Sequence, residues 1–391
     1  MEVMEGYKQT DMGLIPLEWD VKEFEEVMDG FSSGQTPYRA IANYYKGDIP
    51  WVTSGELNYN VITDTIEKIS IEGVRAASLK MIPKGTFLFA ITGLEAAGTR
   101  GSCAITGIEV TTNQSCMALY PKKNLLITPY LYHYYVKFGN ELAFEYCQGT
   151  KQQSYTGVIA KKLPIIVPPS IKEQTSIAAA LSDADALITS LENLIEKKRA
   201  IKQGAMQELL RPKEGWKIEP IKNIAEISTG AKNTQDKLDE GIYPFFVRSQ
   251  NIERINSYSY DGEAVLVAGD GVGTGKVVHY FNGKFDFHQR VYKISHFQEK
   301  LVGFYFYLYF KNNFYNRIMQ MTAKSSVDSV RLEMISEMII PFPSIAEQTH
   351  IATILGEMDH EISLIEQKLS KYKMLKQGMM QELLTGKIRV I

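Results

Sequence analysis

The sequence has 391 residues, 45% of them hydrophobic, which is enough to build two or three domains with cores of their own. Its 43 Lys and Arg residues are balanced by 45 Asp and Glu residues. The resulting net charge of -2 excludes a chain that is basic throughout, so any nucleic-acid-binding surface has to be local.

The three cysteines and the N-terminal residues bear on the compartment. Cys103, Cys116 and Cys147 have no CxxC spacing, which argues against a zinc cluster or a secreted disulfide framework and favours a reducing cytosol. The first residues, "MEVMEGYKQT", lack the apolar core of a signal peptide, and no apolar run is long enough to span a bilayer. A cytoplasmic protein with no membrane partner is therefore predicted.

Residues 1–165 are predicted to form a first domain. From about residue 22, short β-rich runs alternate with turn signals, as in "DIPWVTSGEL" (48–57), "GTFLFAITG" (85–93) and "SCMALYP" (115–121). A helical stretch, "PYLYHYYVKF" (129–138), follows. This pattern indicates an α/β or α+β domain with a mostly antiparallel, barrel-like sheet. The aromatic stripe of the helix could be a base-stacking platform, although aromatics at helical spacing favour a core.

Residues 166–212 are predicted to form a long helix that is one partner of a coiled coil. Apolar residues recur at alternating spacings of four and three, the period of 3.5 that lets two helices wrap around each other. This seam is formed by Ile177, Leu181, Ala184, Ile188, Leu191, Ile195 and Leu209. Ser170, with Glu173 three positions later, has the pattern of a capping box. An ordinary amphipathic helix on the domain's own core is the alternative.

The second half of the chain repeats the first. "PSIKEQTSIAAAL" (169–181) aligns with "PSIAEQTHIATIL" (343–355), and "KQGAMQELL" (202–210) with "KQGMMQELL" (376–384). Residues 213–338 are thus predicted to form a second, similar domain, and residues 339–391 a second long helix. Ser344 and Glu347 repeat the capping pattern. The predicted fold class is α+β, with two similar domains joined by two long helices in an antiparallel coiled coil.

The repeated nonapeptide predicts a docking surface for a partner helix. Two glycines lie in the middle of helices and off the seam, where glycine costs about 1 kcal/mol relative to alanine. Four apolar side chains accompany them. The predicted partner-docking residues are Gly204, Met206, Leu210, Gly378, Met380 and Leu384. Local packing within the chain would explain the same residues.

Motifs for catalysis are missing from the sequence. "GDGVGTGKVV" (269–278) fails the phosphate-loop pattern at Asp270 and Val277 and is better explained as a glycine-rich hairpin tip. E-x-K triplets, as found in some nucleases, occur at Glu196 and Glu366 but lie on the predicted coiled-coil helices. No catalytic residue and no metal site is predicted, which favours a binding protein over an enzyme.

Several longer stretches carry a family resemblance. They are "YKQTDMGLIPLEWDV" (7–21), "GQTPYRAIANYYKGDIPWVTSGEL" (34–57), "GTKQQSYTGVIAKKLPIIVPPSIKEQTSIA" (149–178), the repeated "PSIxEQ…KQGxMQELL", and "LLTGKIRV" (383–390). Through them, and over essentially its whole length, the chain resembles the specificity subunits of type I DNA restriction–modification systems. The near-neutral net charge differs from the positive charge expected of a DNA-binding chain.

The resemblance implies a function. Each domain would be a target recognition domain that reads one part of an asymmetric, interrupted sequence in double-stranded DNA, and the coiled coil would set the gap. Two modification methyltransferase subunits and restriction (translocase) subunits would be partners. S-adenosylmethionine, ATP and Mg would be bound by those partners, with no cofactor in this chain. A scaffold that organises other proteins without reading DNA is the alternative.

The resemblance does not supply the base-contacting residues, which are chosen here by chemistry. Arg and Lys suit guanine O6 and N7, Gln and Asn suit adenine, and Lys also serves phosphates. In the first domain we expect contacts from Gln35, Thr36, Arg39, Arg100, Gln152 and Gln153. In the second we expect them from Lys232, Asn233, Arg248, Gln250, Lys276 and Arg290.

Overall fold

The chain divides into two units in the computed structural model, which describes residues 5–94, 99–148, 153–321 and 329–390. Unit 1 comprises Met1–Glu192 and Lys368–Ile391, and unit 2 comprises Asn193–Gln367. Each unit therefore contains one sheet-rich segment and parts of two long helices.

The α-helices and strands are numbered in chain order through both units. The helices are α1 (Phe24–Val27), α2 (Ile71–Ala76), α3 (Thr128–Tyr146), α4 (Gly157–Lys162), α5 (Ile171–Leu209), α6 (Gly303–Gln320), α7 (Leu332–Ser336) and α8 (Ile345–Leu383). The strands of unit 1 are β1 (Tyr7–Thr10), β2 (Gly13–Pro16), β3 (Asp20–Glu23), β4 (Met28–Ser33), β5 (Ile49–Val52), β6 (Asn60–Ile62), β7 (Glu67–Ile69), β8 (Phe87–Ala90), β9 (Cys103–Thr106), β10 (Thr111–Thr112), β11 (Cys116–Pro121) and β12 (Pro164–Val167). Those of unit 2 are β13 (Lys217–Pro220), β14 (Glu226–Thr229), β15 (Tyr243–Phe246), β16 (Glu253–Ile255), β17 (Tyr260–Ala268), β18 (Val278–Phe287), β19 (Val291–Ser295) and β20 (Ile339–Phe342).

The main sheets of the two units differ in one connection. Unit 1 has a five-stranded sheet in the order β4-β11-β8-β9-β6 and a three-stranded sheet in the order β10-β5-β7. In unit 2 the ten-residue strand β18 replaces the separate β9 and β10, so the corresponding strands form one six-stranded sheet, β14-β19-β17-β18-β15-β16. Most pairs are antiparallel, as predicted, but β10 with β5, β6 with β9 and β15 with β18 are parallel.

The long helices α5 and α8 run antiparallel to each other within each unit. In unit 1, Lys376 pairs with Asp185 (Nζ–Oδ1 2.5 Å) and Lys373 with Glu192 (2.6 Å). In unit 2, Lys198 pairs with Glu361 (2.6 Å) and Lys202 with Asp359. Partner numbers rise along one helix as they fall along the other, which is the predicted antiparallel arrangement. Each helix has 39 residues, about 58 Å at ~1.5 Å per residue.

The aromatic helices α3 and α6 belong to the cores of their units. Tyr130, Tyr134 and Tyr135 of α3 are buried, as are Phe306 and Phe310 of α6, so the core interpretation of these stripes is correct and a base-stacking role for these side chains is excluded. No helix among the described residues is long and apolar enough to cross a membrane.

A buried histidine of α3 faces α5 inside unit 1. The His133 ring is almost fully buried, and its Nε2 lies 2.9 Å from Ser182 Oγ. Asp185 and Lys376 are the charged groups near it. Burial lowers the pKa of His133 to about 4, with Asp185 acting in the opposite direction and Lys376 in the same direction. His133 is therefore neutral in the folded chain at neutral pH.

We expect His133 to make unit 1 less stable as the pH falls. Between pH 6.5, the ordinary pKa, and about pH 4, the unfolded chain binds a proton that the folded chain does not. From pH 7 to pH 5, about 2 kcal/mol of the unfolding free energy should be lost. The measurement is urea denaturation at both pH values for the wild type and His133→Leu. Leucine is the matched choice because Leu308 holds this position of α6 in unit 2. An equal pH slope in the two proteins would contradict the assignment.

Candidate nucleic-acid interface

In unit 2, an aspartate lies between two arginines from different loops. Asp270 follows β17, Arg248 follows β15, and Arg290 precedes β19. Arg248 Nη1 donates to Asp270 Oδ1 at 3.0 Å, and Arg290 Nε lies 3.8 Å from Asp270 Oδ2. The arginine side chains are 43% and 66% exposed, so both remain partly open to solvent. One carboxylate thus contacts two exposed cations.

An asparagine and a glutamine lie beside these charges. Gln289 Nε2 donates to Asn233 Oδ1 at 2.5 Å, and the Asn233 backbone N–H donates to Asp236 Oδ2 at 2.6 Å in a capping box. Asn233 and Gln289, with Arg248, Asp270 and Arg290, line a cleft of about 430 Å³. We call Asn233, Arg248, Asp270, Gln289 and Arg290 the unit 2 face.

A buried histidine fixes the backbone of this face. His288 Nδ1 accepts a hydrogen bond from the Arg290 backbone N–H at 2.9 Å, which requires an unprotonated Nδ1. Burial lowers the pKa of His288, and the positive charge of Arg248 acts in the same direction. The ring is therefore neutral at physiological pH and can keep its acceptor role.

The other residues expected to contact DNA in unit 2 lie around the face. Lys232 is half-buried, and its carbonyl accepts from Gln289 N at 2.8 Å. Gln250 is exposed two residues after Arg248. Lys276 is exposed, with Nζ 4.8 Å from the centre of the Tyr315 ring. The geometry brings Asn233, Arg248 and Arg290 together and leaves the other three at the margin.

In unit 1, the expected residues fall into two groups. Gln35 and Thr36 follow β4, and Thr36 Oγ1 donates to Gln114 Oε1 at 2.6 Å. Arg100 Nε donates to Leu94 O at 2.9 Å, and the Gln153 carbonyl accepts from Leu94 N at 3.1 Å. Gln152 lies outside the described residues.

Arg39 is engaged within unit 1. Its guanidinium donates to both oxygens of Glu67, at 2.5 and 2.8 Å, and lies over the rings of Tyr45 and Trp51. The hydrogen bond to Glu67 raises the pKa of Arg39, and the same bond lowers the pKa of Glu67. Both terminal nitrogens of Arg39 are already bound to Glu67, so a two-bond contact to a base through this fork would have to displace the carboxylate, and Arg39 is not part of the interface proposed below.

Backbone hydrogen bonds show which positions of the two units are equivalent. Asn113 N donates to Val52 O at 2.9 Å in unit 1, and His288 N donates to Phe246 O at 2.9 Å in unit 2. Ile91 N donates to Ser115 O just as Gly269 N donates to Arg290 O. Position by position, the unit 2 residues Arg248, Asp270, Gln289 and Arg290 therefore correspond to Ser54, Thr92, Gln114 and Ser115. We call Thr36, Ser54, Thr92, Gln114 and Ser115 the unit 1 face.

Sequence reasoning missed six residues of the two faces: Ser54, Thr92, Gln114, Ser115, Asp270 and Gln289. Gln114 and Gln289 occupy the same position of the two faces, in "TTNQSCMALYP" and "FDFHQRVYKIS". Aligning the two strands that follow them would have paired these glutamines. Asp270 had no such signal, because its counterpart Thr92 is uncharged and its two arginine partners lie 22 and 20 residues away.

The sequence matches one family model twice. The model of the type I restriction modification DNA specificity domain matches residues 16–203 and again residues 213–373. The chain belongs to this family.

Curated specificity subunits and a solved structure resemble the chain. The type I restriction enzyme MjaIX specificity subunit of Methanocaldococcus jannaschii is 33% identical over 223 residues, which cover 56% of this chain and about half (48%) of that relative. The putative MjaX specificity subunit of the same organism is 24% identical over 99% of this chain and 97% of its own length. The crystal structure of the S subunit of a type I restriction–modification system from M. genitalium has a TM-score of 0.67 at 15% identity, covering 98% of each chain. This likeness confirms the predicted fold class.

The residues expected to dock partners of this specificity subunit divide into two sets. Met206, Leu210, Met380 and Leu384 are buried in the cores of their own units, so the chain itself covers their apolar surface. A Cβ at Gly204 or Gly378 would meet open space. The apolar members are thus explained by local packing, and a docking role is left to the exposed faces around the two glycines.

The possible metal ligands among the described residues do not cluster. Within residues 5–94, 99–148, 153–321 and 329–390, no group of three or more His, Cys, Asp or Glu side chains is placed to hold a metal ion. Burial raises the pKa values of the Cys103 and Cys116 thiols above their usual range, so neither is a ready thiolate ligand.

Proposed function

We propose that the chain is the DNA-reading, non-catalytic subunit of a type I restriction–modification enzyme. Each unit reads one part of an asymmetric, interrupted site in double-stranded DNA through its own face. The observation that carries the proposal is that the same four loops hold the face in each unit but present unlike side chains. Two readers built on one scaffold suit a target with two different parts.

Partner proteins complete the proposed activity. Two modification methyltransferase subunits dock around Gly204 and Gly378, where helices α5 and α8 leave open space, and restriction subunits join the larger complex. S-adenosylmethionine, ATP and Mg are bound by these partners, in the cytoplasm. Because the net charge of this chain is only -2, we expect the partners to supply part of the affinity for DNA phosphates.

A methylation map of host DNA tests the function. We expect deletion of the gene to abolish methylation at one interrupted, asymmetric motif and a wild-type copy to restore it. The map, read at single-base resolution, reveals both parts of the motif. Co-purification of a tagged chain with a methyltransferase is the companion measurement. If the chain co-purifies with an active methyltransferase and no motif depends on the gene, the chain is a scaffold and the DNA-reading function is wrong.

A further inference from the structure

The two faces differ in charge at three positions. Ser54 and Ser115 of unit 1 are replaced by Arg248 and Arg290 in unit 2, and the intervening Thr92 by Asp270. The glutamine is retained, as Gln114 and Gln289. The backbone hydrogen bonds of the two faces match. At equivalent positions, the unit 2 face therefore carries guanidinium groups and the unit 1 face carries short neutral hydroxyls. The chemistry of recognition has to differ between the units at these positions.

Asp270 holds the two guanidinium groups in place. It accepts from Arg248 at 3.0 Å through one oxygen and faces Arg290 at 3.8 Å through the other, and its own side chain is only 28% exposed. The Arg290 backbone is fixed in addition by His288. Each arginine still has donors that Asp270 does not engage, because a guanidinium has five N–H groups. Both arginines are therefore positioned by Asp270 and still have N–H groups with which to bind DNA.

We propose that Arg248 and Arg290 each read the guanine of a G·C pair, at two different positions in the part of the DNA site bound by unit 2, an inference that rests on the proposed function. The planar fork of arginine donates two parallel hydrogen bonds to guanine O6 and N7 in the major groove. Lysine can also donate to guanine, but it carries its charge on a flexible stem without the planar fork, so we expect it to discriminate guanine less well. Asp270 is a positioning residue that aims the forks.

The experiment selects DNA with the chain as it exists in its host. The tagged full-length chain is purified with the proteins that remain bound to it and is incubated with a pool of random double-stranded DNA. The bound DNA is then sequenced. We expect the wild type to enrich a two-part motif. Arg248→Gln and Arg290→Gln should each lower the preference for a G·C pair by about 10- to 100-fold at a position in one part. The other part should be unchanged.

Charge-conserving and matched variants separate base reading from charge. Arg248→Lys and Arg290→Lys keep the charge but should still lower the G·C preference, less than the glutamine variants do, and total affinity should also fall less. Ser54→Ala and Ser115→Ala are the matched controls in unit 1, and we expect them to leave the part affected by the arginine variants unchanged. Thermal unfolding of each variant shows that the exposed substitutions preserve the fold.

Three outcomes decide between the explanations. A lowered G·C preference in each of the four arginine variants, at one position for both variants of Arg248 and at another for both variants of Arg290, supports the inference. An unchanged motif with uniformly weaker binding would mean that the arginines contact phosphates, which overturns the inference and leaves the proposed function standing. If the wild-type complex enriches no motif, the proposed function fails and the inference falls with it.

Asp270→Asn tests the positioning role. Removing a negative charge from the interface should strengthen binding to all sequences severalfold, whereas the loosened arginines should discriminate G·C less well. Opposite changes of affinity and discrimination are not expected of a residue that only stabilises the fold. A variant with unaltered discrimination would remove Asp270 from the mechanism.

Discussion

Replacing Gln174 by leucine is expected to destabilise unit 1 by about 4 kcal/mol. This side chain, at the start of α5, is fully buried and makes three hydrogen bonds to backbone groups. Its Oε1 accepts from Ile127 N at 3.1 Å, and its Nε2 donates to Leu125 O at 2.9 Å and Pro168 O at 3.0 Å. Leucine would leave those groups buried without partners, at a cost of about 1–3 kcal/mol each before relaxation.

Unit 2 offers the same experiment a second time. Gln348 is also fully buried and bonds Val302 N, Lys300 O and Pro343 O in the same pattern. Native-state hydrogen exchange resolves the units: Gln174→Leu should accelerate exchange in α3 and β12, and Gln348→Leu in α6 and β20. The control is Gln207→Leu, an exposed position of α5. Equal effects of the buried and exposed substitutions would contradict the explanation.

The repeat made the architecture predictable from the sequence. "KEQT" and "AEQT" mark the same point of both units, and their glutamines turn out to make the same hydrogen bonds. The 3.5-residue seam predicted the two long helices because burial of a continuous apolar stripe requires a partner helix. Ile188, Leu191 and Ile195, for example, are buried although they lie outside the two main core clusters. Local periodicity and self-similarity are both properties that a single sequence displays.

The predicted capping boxes are only half present. Ser170 Oγ accepts from Glu173 N at 3.3 Å and Ser344 Oγ from Glu347 N at 3.4 Å, as predicted. The two glutamate side chains, however, form ion pairs with residues far away in the sequence: Glu173 with Arg389 and Glu347 with Lys213. A capping pattern describes four consecutive residues and cannot report a competing partner from another part of the chain.

The faces were the harder part to predict. Asn233, Arg248 and Arg290 were expected from their chemistry. Their position around one cleft depends on the pairing of β15 with β18 and of β17 with β19. Arg39 has the same chemistry and is bound to Glu67 instead. Residue type therefore selects candidates, and strand pairing decides which of them share a surface.

Replacing Arg389 by alanine is expected to destabilise unit 1 by about 3 kcal/mol. Arg389 donates to both oxygens of Glu173, with Nη2 at 3.0 Å from Oε2, and to Glu18 Oε2 at 3.1 Å. Its guanidinium lies 5.6 Å from the centre of the Trp19 ring. The Glu173 side chain is only 3% exposed, so without arginine a buried carboxylate loses its counter-charge, which typically costs 3–5 kcal/mol. Urea denaturation measures the loss, and the partial exposure of Arg389 argues for the lower end of that range.

The ion pair made by the corresponding glutamate of unit 2 supplies the control. Lys213 and Glu347 lie 3.8 Å apart, with side chains 52% and 40% exposed, so Lys213→Ala should change the unfolding free energy by less than about 1 kcal/mol. In a Glu173→Gln background the carboxylate is gone, and Arg389→Ala should then cost only about 1 kcal/mol, from its contacts with Glu18 and Trp19. If Arg389→Ala costs as much in that background as in the wild type, the effect comes from lost packing of the C-terminal residues and not from the buried charge.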